Sequence, residues 1–319
     1  MAVRVNTDNF ARAETERMMA SLQTNAGGVN RLSHSRVPTA IDQQPVIRMN
    51  RDTLYSAAVF DLDAGPVTVT IPEAGTRFMS IQVITEDGYS PAVMYGAGRY
   101  TLNSAIGTRY IMTAVRILVN PLDPKDVATV HALQDALGVE QAGRGRFEVP
   151  DWDQAGQKKI REALLVLGAT LPDSRKMFGA RDEVDPVRHL IGAAMAWGGN
   201  PETDAMYINV TPPMNDGRIA HGLTVKDVPV DGFWSISVYN AGGYFEANAR
   251  QAYTINNVTA KKSRDGSITV RFGDWSESTV NCLPIVPGWN YLVRLYRPRA
   301  EILSGKWIFP EAEPSRVLV

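Results

Sequence analysis

The apolar residues in the first part of the chain follow strand patterns. Residues 67–71 alternate in side-chain character, are rich in β-branched residues and lie between two prolines, as expected of a β-strand. Residues 78–84 and 110–119 repeat this signal, and glycines and prolines between them mark turns. Before them, residues 10–22 are rich in good helix formers. The pattern therefore predicts one short helix followed by a block that is mostly β.

The middle of the chain carries helical spacing instead. Segments 123–138, 153–168 and 185–198 each begin at an aspartate and end at a glycine, with apolar residues aligned on one face. In two of them a proline follows the aspartate, and proline suits the first helical turn because its missing N–H has no partner there. We therefore expect a helical insertion.

The period of two returns towards the C-terminus. Residues 233–239, 267–272 and 290–296 alternate or run apolar between turn signals. Asp265-Gly266 lies between apolar runs and predicts a hairpin turn, because both residue types tolerate positive φ. This last part of the chain is expected to be β again.

Together these patterns predict a fold class that is mostly β with a helical insertion (α+β). Many short strands with frequent turns are typical of a sandwich or a jelly roll. A length of 319 residues is enough for two domains with real cores. We predict an N-terminal β-rich domain over residues 1–121, a helical linker over 122–200 and a C-terminal jelly-roll-like β-sandwich over 201–319.

Composition and charge narrow the function classes. Lys plus Arg number 33 and Asp plus Glu number 34, so the net charge of -1 disfavours binding of nucleic acid or an anionic membrane through a basic field. Cys282 is the single cysteine, which excludes an intrachain disulfide and a zinc site of several thiolates. No segment is apolar enough for a signal-peptide core or a membrane span. We expect a cytoplasmic homo-oligomer that binds a small molecule.

Motifs for several common chemistries are missing from the sequence. It contains no G-x-S-x-G elbow, no phosphate-binding loop and no H-E-x-x-H pair. Gly96-Ala-Gly98 lacks the third glycine of a dinucleotide fingerprint, so we interpret it as a turn. The four histidines are scattered, and a metal site is open only if His221 converges with distant carboxylates. We therefore expect no cofactor and no metal, and we interpret Cys282 as a buried, inert thiol.

The densest polar cluster is Asn50-Arg-Asp-Thr-Leu-Tyr-Ser56. In it, Asp52 is a candidate general base, Tyr55 is a candidate general acid, and Arg51 can hold a carboxylate or a developing oxyanion. Asn50 lies beside them as a candidate substrate-binding residue. The alternative is structural: Asp52 and Asn50 cap local backbone while Arg51 pairs with a carboxylate.

A second set of substrate-binding candidates combines aromatic and polar residues near the C-terminus: Trp234, Tyr239, Asn281, Arg294 and Tyr296. Trp234 and Tyr239 are an odd number of residues apart, so in a regular strand they face opposite sides. Arg294 stands between apolar residues and needs a partner if it points inward. It is therefore either part of an anion pocket or half of a buried ion pair.

Motifs in a fixed order cover most of the chain. The N-terminal motifs are the cluster 50–56, Asp61-Leu62, Gly65-Pro66, Pro72 and Arg77. The C-terminal motifs are Pro229-Val-Asp-Gly-Phe-Trp-Ser235, Tyr239-Asn240, Asp265-Gly266, Asn281 with Leu283-Pro284, Arg294-Leu-Tyr296 with Pro298, Trp307 and Pro310. In these motifs the chain resembles a bacterial family that joins two domains of unknown function, numbered twelve fifty-four (N-terminal) and twelve fourteen (C-terminal).

The resemblance implies an N-terminal β-rich domain, a C-terminal jelly roll, helices between them and oligomerisation. It implies no settled activity. The chain departs from the family in lacking the secretion signal that is common there. It also carries Cys282 where a tryptophan is common after the asparagine.

Three hypotheses about function stay open. The first is a cofactor-independent hydrolase, lyase or isomerase that acts on a small anionic or oxygenated substrate in a pocket between the two β domains, where Arg77 and Arg294 add anion binding to the N-terminal cluster. The second is a non-catalytic carbohydrate-binding, ligand-binding or assembly protein, with Trp234, Trp275 and Trp289 as stacking platforms. In the third, the motifs supply only turns and caps that specify the fold.

Overall fold

The computed structural model describes residues 2–44, 47–171, 173–276 and 278–315. Contacts divide the chain into two compact units: unit 1 comprises Met1–Arg36 and Leu54–Glu202, and unit 2 comprises Val37–Thr53 and Thr203–Val319. Residues 37–53 thus belong with the C-terminal part of the chain, although they precede most of unit 1 in sequence. The three-part division predicted from the sequence stays a prediction.

Unit 1 contains four α-helices and eight strands among the described residues, so its predicted β-rich character with helices is confirmed. The helices are α1 (Phe10–Ala26), α2 (Pro124–Asp135), α3 (Gln154–Gly168) and α4 (Pro186–Met195). The strands are β1 (Ser33–His34), β2 (Thr53–Asp61), β3 (Val67–Ile71), β4 (Met79–Thr85), β5 (Ala92–Tyr95), β6 (Gly98–Leu102), β7 (Tyr110–Leu118) and β8 (Gly138–Gln141).

Two antiparallel sheets form unit 1, ordered β1-β2-β7-β4-β5 and β6-β3-β8. One face of the five-stranded sheet shares a core with β3, β6 and α2. The other face packs against α1, whose Met19 is fully buried there. Because the sheet is covered on both faces, β7 is buried along its whole length, which explains why its sequence runs apolar instead of alternating.

Helix boundaries in unit 1 follow local chemistry. Asp123 and Asp185 accept hydrogen bonds from backbone N–H groups in the first turns of α2 and α4, so both predicted starts are N-caps. Helix α1 continues past the predicted end at residue 22 and stops before Gly27, whose φ of 75° favours glycine. Helix α2 ends before the predicted Gly138, because Gly138 pairs with Thr70 in the β3–β8 ladder.

Unit 2 contains eight strands and one short helix among the described residues. They are β9 (Ala205–Val210), β10 (His221–Val225), β11 (Trp234–Tyr239), β12 (Thr254–Asn256), β13 (Ile268–Phe272), β14 (Cys282–Leu283), β15 (Asn290–Tyr296), α5 (Ala300–Leu303) and β16 (Glu313–Pro314). The strands form two sheets, ordered β14-β13-β10-β16 and β12-β11-β15-β9, that share one hydrophobic core. Jelly-roll topology stays a prediction.

The predicted hairpin at Asp265-Gly266 is wrong, although the turn itself forms. The Gly266 N–H donates to the Ser263 carbonyl at 3.0 Å, and Asp265 accepts a hydrogen bond from the Ser267 N–H. However, β12 before the turn and β13 after it belong to different sheets. Residues that favour a turn determine the local backbone, whereas strand pairing depends on distant contacts.

Every helix within the described ranges is too short or too polar to traverse a lipid bilayer. The cytoplasmic location and the homo-oligomeric state stay predictions.

Candidate functional site

Strand β11 presents its odd-numbered side chains on the face of its sheet that lies opposite the core. The register places Arg294 of β15 on one side of Ser235 and Asn256 of β12 on the other. Residues 47–53, also part of unit 2, contact this face through backbone and side chains. We call it the polar face, defined by Ser235, Ser237, Tyr239, Thr254, Asn256, Arg294 and Tyr296.

Arg294 is the buried centre of the polar face and is 2% exposed. Its guanidinium donates to Ser237 Oγ and to the Tyr239 phenol oxygen, both at 2.8 Å, and to the backbone carbonyls of residues 48–49. Burial lowers the pKa of Arg294, but the phenols of Tyr239 and Tyr296 and then the Asp52 carboxylate outweigh burial and leave the pKa above its ordinary value. The charged guanidinium therefore fastens residues 48–49 to the sheet.

A chain of hydrogen bonds leads from Arg294 to a buried carboxylate. Arg294 donates to Ser237, the Ser237 hydroxyl donates to Thr254 Oγ1 at 3.2 Å, and the Thr254 hydroxyl donates to Asp52 Oδ1 at 3.0 Å. Asn256 Nδ2 donates to the same carboxylate oxygen at 3.2 Å. Every donor in this chain points towards the carboxylate, so each bond polarises the next.

The two carboxylate oxygens of Asp52 differ in their surroundings. The residue is 1% exposed, and Oδ1 accepts the two bonds from Thr254 and Asn256. Oδ2 is equally inaccessible and contacts no donor of the described protein. The Asp52 N–H donates to Asn50 Oδ1 at 2.8 Å, which fixes the local backbone. Because a buried oxygen without a donor costs free energy, Oδ2 is an acceptor available to a donor group or a proton.

Asn50 and Arg51 hold the loop that carries the carboxylate. Asn50 Nδ2 donates to the Tyr296 phenol oxygen at 3.0 Å. Arg51 donates to the Thr39 carbonyl, and its guanidinium lies 5.1 Å from the ring centroid of Tyr253. Burial lowers the pKa of Arg51, although a guanidinium remains protonated at neutral pH. The substrate-directed roles predicted for Asn50 and Arg51 stay predictions.

Tyr55 and Arg77 lie in unit 1 and contact other groups there. The Arg116 guanidinium lies 5.5 Å from the ring centroid of Tyr55. Arg77 precedes β4 and donates to the Leu118 carbonyl at 2.6 Å and to the carboxylate of Asp126 in α2. That ion pair fastens the start of β4 to the first turn of α2. The polar face belongs to unit 2 and contains neither residue.

Trp234 and Asn281 lie in unit 2 but away from the polar face. Trp234 packs in the core between the sheets, on the side of β11 opposite Tyr239, as their odd spacing predicts. Asn281 has a φ of 52° and bonds through its side chain to Lys261 and Thr269, so it links neighbouring backbone segments. The predicted site residues that meet on or against the polar face are Asn50, Asp52, Tyr239, Arg294 and Tyr296.

Four residues of the polar face were not predicted as site residues: Ser235, Ser237, Thr254 and Asn256. Their signal in the sequence is alternation, since the serines take every second position of β11, and Thr254 and Asn256 flank Ile255. Alternation places each pair on one face of its strand. It does not reveal that β12 pairs with β11, and that pairing places Thr254 and Asn256, which bond to Asp52, opposite Ser237 and Ser235.

Unit 1 also buries carboxyl groups, at Glu14, Glu16 and Glu86. Burial raises the pKa of Glu14, but hydrogen bonds from two arginines outweigh burial and leave that pKa below its usual value. Burial, reinforced by the neighbouring Glu86 and opposed by a hydrogen bond from Trp152, raises the pKa of Glu16 to about 7. These groups therefore have arginine, indole or carboxyl partners within the protein.

His221 and Cys282 are both inaccessible. The His221 ring nitrogens each lie 2.8 Å from a backbone carbonyl, of Ile219 and Pro213. Burial raises the pKa of the Cys282 thiol, which makes it a poor nucleophile. Within the part of the chain that the structure describes, no group of three or more His, Cys, Asp or Glu residues is placed to hold a metal ion.

Two family models match the chain in tandem. Residues 29–106 match the family described as DUF1254, and residues 213–300 match the family described as DUF1214, each a protein of unknown function. The predicted family is therefore confirmed. No curated protein matches the sequence.

Solved structures share the fold. The VPA0106 protein from Vibrio parahaemolyticus has a TM-score of 0.75 at 16% identity, with 97% of this chain and 98% of that chain covered. An uncharacterized protein from Burkholderia cenocepacia has a TM-score of 0.54 at 14% identity, with 90% and 84% covered. At such low identity these similarities establish the fold alone.

Proposed function

We propose that this chain, which belongs to the family that joins DUF1254 and DUF1214 in tandem, is a general acid–base enzyme acting on a small oxygenated organic substrate. The reaction is of hydrolase, lyase or isomerase type. The observation that carries this proposal is the Asp52 carboxylate. It is buried and held through Oδ1, and its Oδ2 has no hydrogen-bond partner among the described residues.

In this proposal Asp52 is the general base. Its Oδ1 is held by hydroxyl and amide donors of the polar face, so Oδ2 is the oxygen that takes a proton from the substrate or from a water that attacks it. Arg294 polarises the hydroxyl groups of Ser237 and Thr254, and these hydroxyl groups hold the Asp52 carboxylate in a fixed orientation. A positioned base of this kind contributes roughly 10²–10⁴-fold to a rate.

The general-acid role of Tyr55 stays a prediction from the sequence cluster, because Tyr55 belongs to unit 1 and Asp52 to unit 2. Two of the tryptophans predicted to stack on sugars, Trp234 and Trp289, are buried in the core of unit 2. The carbohydrate-binding alternative therefore depends on Trp275, the third tryptophan predicted as a stacking platform.

The test is a substrate search that covers all three reaction types at once. Pools of small esters, lactones, hydroxy acids and hydroxy ketones are incubated with the protein in D₂O and followed by proton NMR, which reports cleavage, elimination, isomerisation and deuterium uptake at carbon. We expect conversion by the wild type that falls about 100-fold or more in Asp52→Asn. Asp265→Asn, which changes an exposed turn aspartate of the same unit, should convert at the wild-type rate. Equal conversion by Asp52→Asn, or none by the wild type, contradicts the proposal.

A further inference from the structure

Two buried polar atoms of the polar face have no partner within the described protein: Asp52 Oδ2 and Ser235 Oγ. Both residues are essentially inaccessible, at 1% and 0% exposure. Buried side-chain polar atoms are nearly always hydrogen-bonded in folded proteins. Two such atoms in one sheet face therefore indicate a group that bonds to them.

The strand register places Ser235 beside Asn256, which bonds to Asp52. Ser235 is directly opposite Asn256 in the antiparallel β11–β12 pair, and side chains opposite each other have Cβ atoms about 5 Å apart. Asn256 Nδ2 in turn donates to the Asp52 carboxylate at 3.2 Å. Ser235 and Asp52 thus both adjoin Asn256, and neither Ser235 Oγ nor Asp52 Oδ2 has a hydrogen-bond partner among the described residues, so each is left to bond to an added hydroxyl.

The surrounding charges limit the class of group that fits. An anion would meet the Asp52 carboxylate, while the Arg294 guanidinium already donates to two side-chain oxygens and two backbone carbonyls. A cation would meet the positive charges of Arg294 and of Arg48 and Arg51 in the adjoining loop. Arg48 itself donates to Asn290 at 2.9 Å and lies over the Tyr239 ring. Both charged classes are therefore opposed.

We propose that the polar face binds a neutral hydroxyl group of its substrate, which donates to Asp52 Oδ2 and hydrogen-bonds to Ser235 Oγ. This inference rests on the proposed function and narrows its substrate class to a neutral alcohol, diol or polyol. Ser235 then sets specificity by recognising the hydroxyl, and Asp52 excludes carboxylates. An ordered water can satisfy the same two atoms, so the experiment must separate a water from a ligand.

The experiment compares three probes of nearly equal size: ethylene glycol, glycolate and ethanolamine. Their binding to the wild type is measured by saturation-transfer NMR titration. We expect ethylene glycol to bind at least about tenfold more tightly than either charged probe, because the carboxylate of glycolate meets the Asp52 charge and the ammonium of ethanolamine meets the arginine charges. Ser235→Ala should weaken ethylene glycol binding several-fold, whereas Ser304→Ala, which changes an exposed serine of unit 2, should not.

The Asp52→Asn variant gives a readout that a structural role would not change. Removing the negative charge should raise the affinity for glycolate relative to ethylene glycol. Preference of the wild type for glycolate or ethanolamine overturns the inference. Binding that neither Ser235→Ala nor Asp52→Asn changes also overturns it, because that result is expected if only water occupies the site. These titrations measure binding and the substrate search measures turnover. Failure of the hydroxyl inference can therefore be distinguished from failure of the proposed catalysis by Asp52.

Discussion

Both units bury carboxyl groups beside arginines, but they satisfy them in different ways. In unit 1, two arginines bond to Glu14, and Glu16 interacts with Glu86 and accepts a bond from the Trp152 indole. In unit 2, Asp52 receives neutral hydroxyl and amide donors on one oxygen and none on the other. The Arg294 guanidinium reaches Asp52 through two hydroxyl groups, those of Ser237 and Thr254.

The difference separates a structural carboxylate from a candidate functional one. A carboxylate that serves stability has both oxygens satisfied, because an open buried oxygen lowers the stability of the fold. Glu202 Oε2 in unit 1 also lacks a partner among the described residues, so a missing donor singles out Asp52 only together with the donors that fix its Oδ1 and the hydroxyl network behind them. Burial alone does not make this distinction, since all of these groups are buried.

The largest effect should come from removing the charge at the centre of the polar face. Arg294→Met removes the guanidinium donor from Ser237, Tyr239 and the Arg48 carbonyl in a dry environment, while the Met49 carbonyl keeps its bond from the Tyr239 hydroxyl, so unit 2 should lose about 4 kcal/mol of unfolding free energy. Denaturant unfolding measures the loss, and hydrogen–deuterium exchange assigns it to β11 and β15. A loss of unfolding free energy below about 1 kcal/mol would contradict the stabilising role of the Arg294 hydrogen bonds.

Glu14→Gln tests the structural carboxylate of unit 1. The substitution removes the negative charge that holds Arg17 and Arg161, so unit 1 should lose about 3 kcal/mol at pH 8. The pKa of Glu14 lies below its usual value, so its contribution is present above the unfolded pKa and is lost as the pH falls through the folded one. The difference between variant and wild type should therefore shrink in acid. A difference that does not depend on pH contradicts the ion-pair interpretation.

Local pattern predicted much of the fold. The strands Val67–Ile71 and Asn290–Tyr296 lie where alternation and turn residues placed them, and the aspartate caps mark the starts of α2 and α4. What local pattern could not predict is pairing over long distances. Residues 37–53 join unit 2, and nothing in their own composition indicates that, because the contacts that hold them come from strands far along the chain.

The candidate site shows the same limit. The sequence singled out Asp52 as a member of the densest polar cluster, and Arg294 as a charge between apolar residues that needs a partner. It could not identify Ser237 and Thr254, which connect them, since serine and threonine are common on any strand and only the register gives them this role. Serine or threonine at alternate positions of a strand is thus the sequence feature that indicates possible hydrogen-bond partners for a buried charge.

Glu16→Gln should have a smaller effect, of opposite sign to that of Glu14→Gln. The folded pKa of Glu16 is raised to about 7, so its contribution is fully present below the unfolded pKa and is lost as the pH rises through about 7. Glutamine resembles the protonated acid and can still accept the Trp152 N–H and donate to Glu86. Unit 1 should therefore be more stable in the variant by about 2 kcal/mol at pH 8 and nearly unchanged at about pH 4, below the unfolded pKa. Thermal unfolding at both pH values checks this, and destabilisation at pH 8 would contradict it.

The smallest effect on stability should come from Asp52→Asn, and its small size is what distinguishes the two kinds of carboxylate. The amide oxygen of asparagine still accepts from Thr254 and Asn256, and the change removes a buried charge with one unsatisfied oxygen while weakening its attraction to Arg294. These contributions oppose each other, so the unfolding free energy should change by less than about 1 kcal/mol, measured by denaturant titration beside Glu14→Gln. A loss as large as that of Glu14→Gln would place Asp52 among the structural carboxylates, and the cluster around it would then serve the fold instead of a substrate.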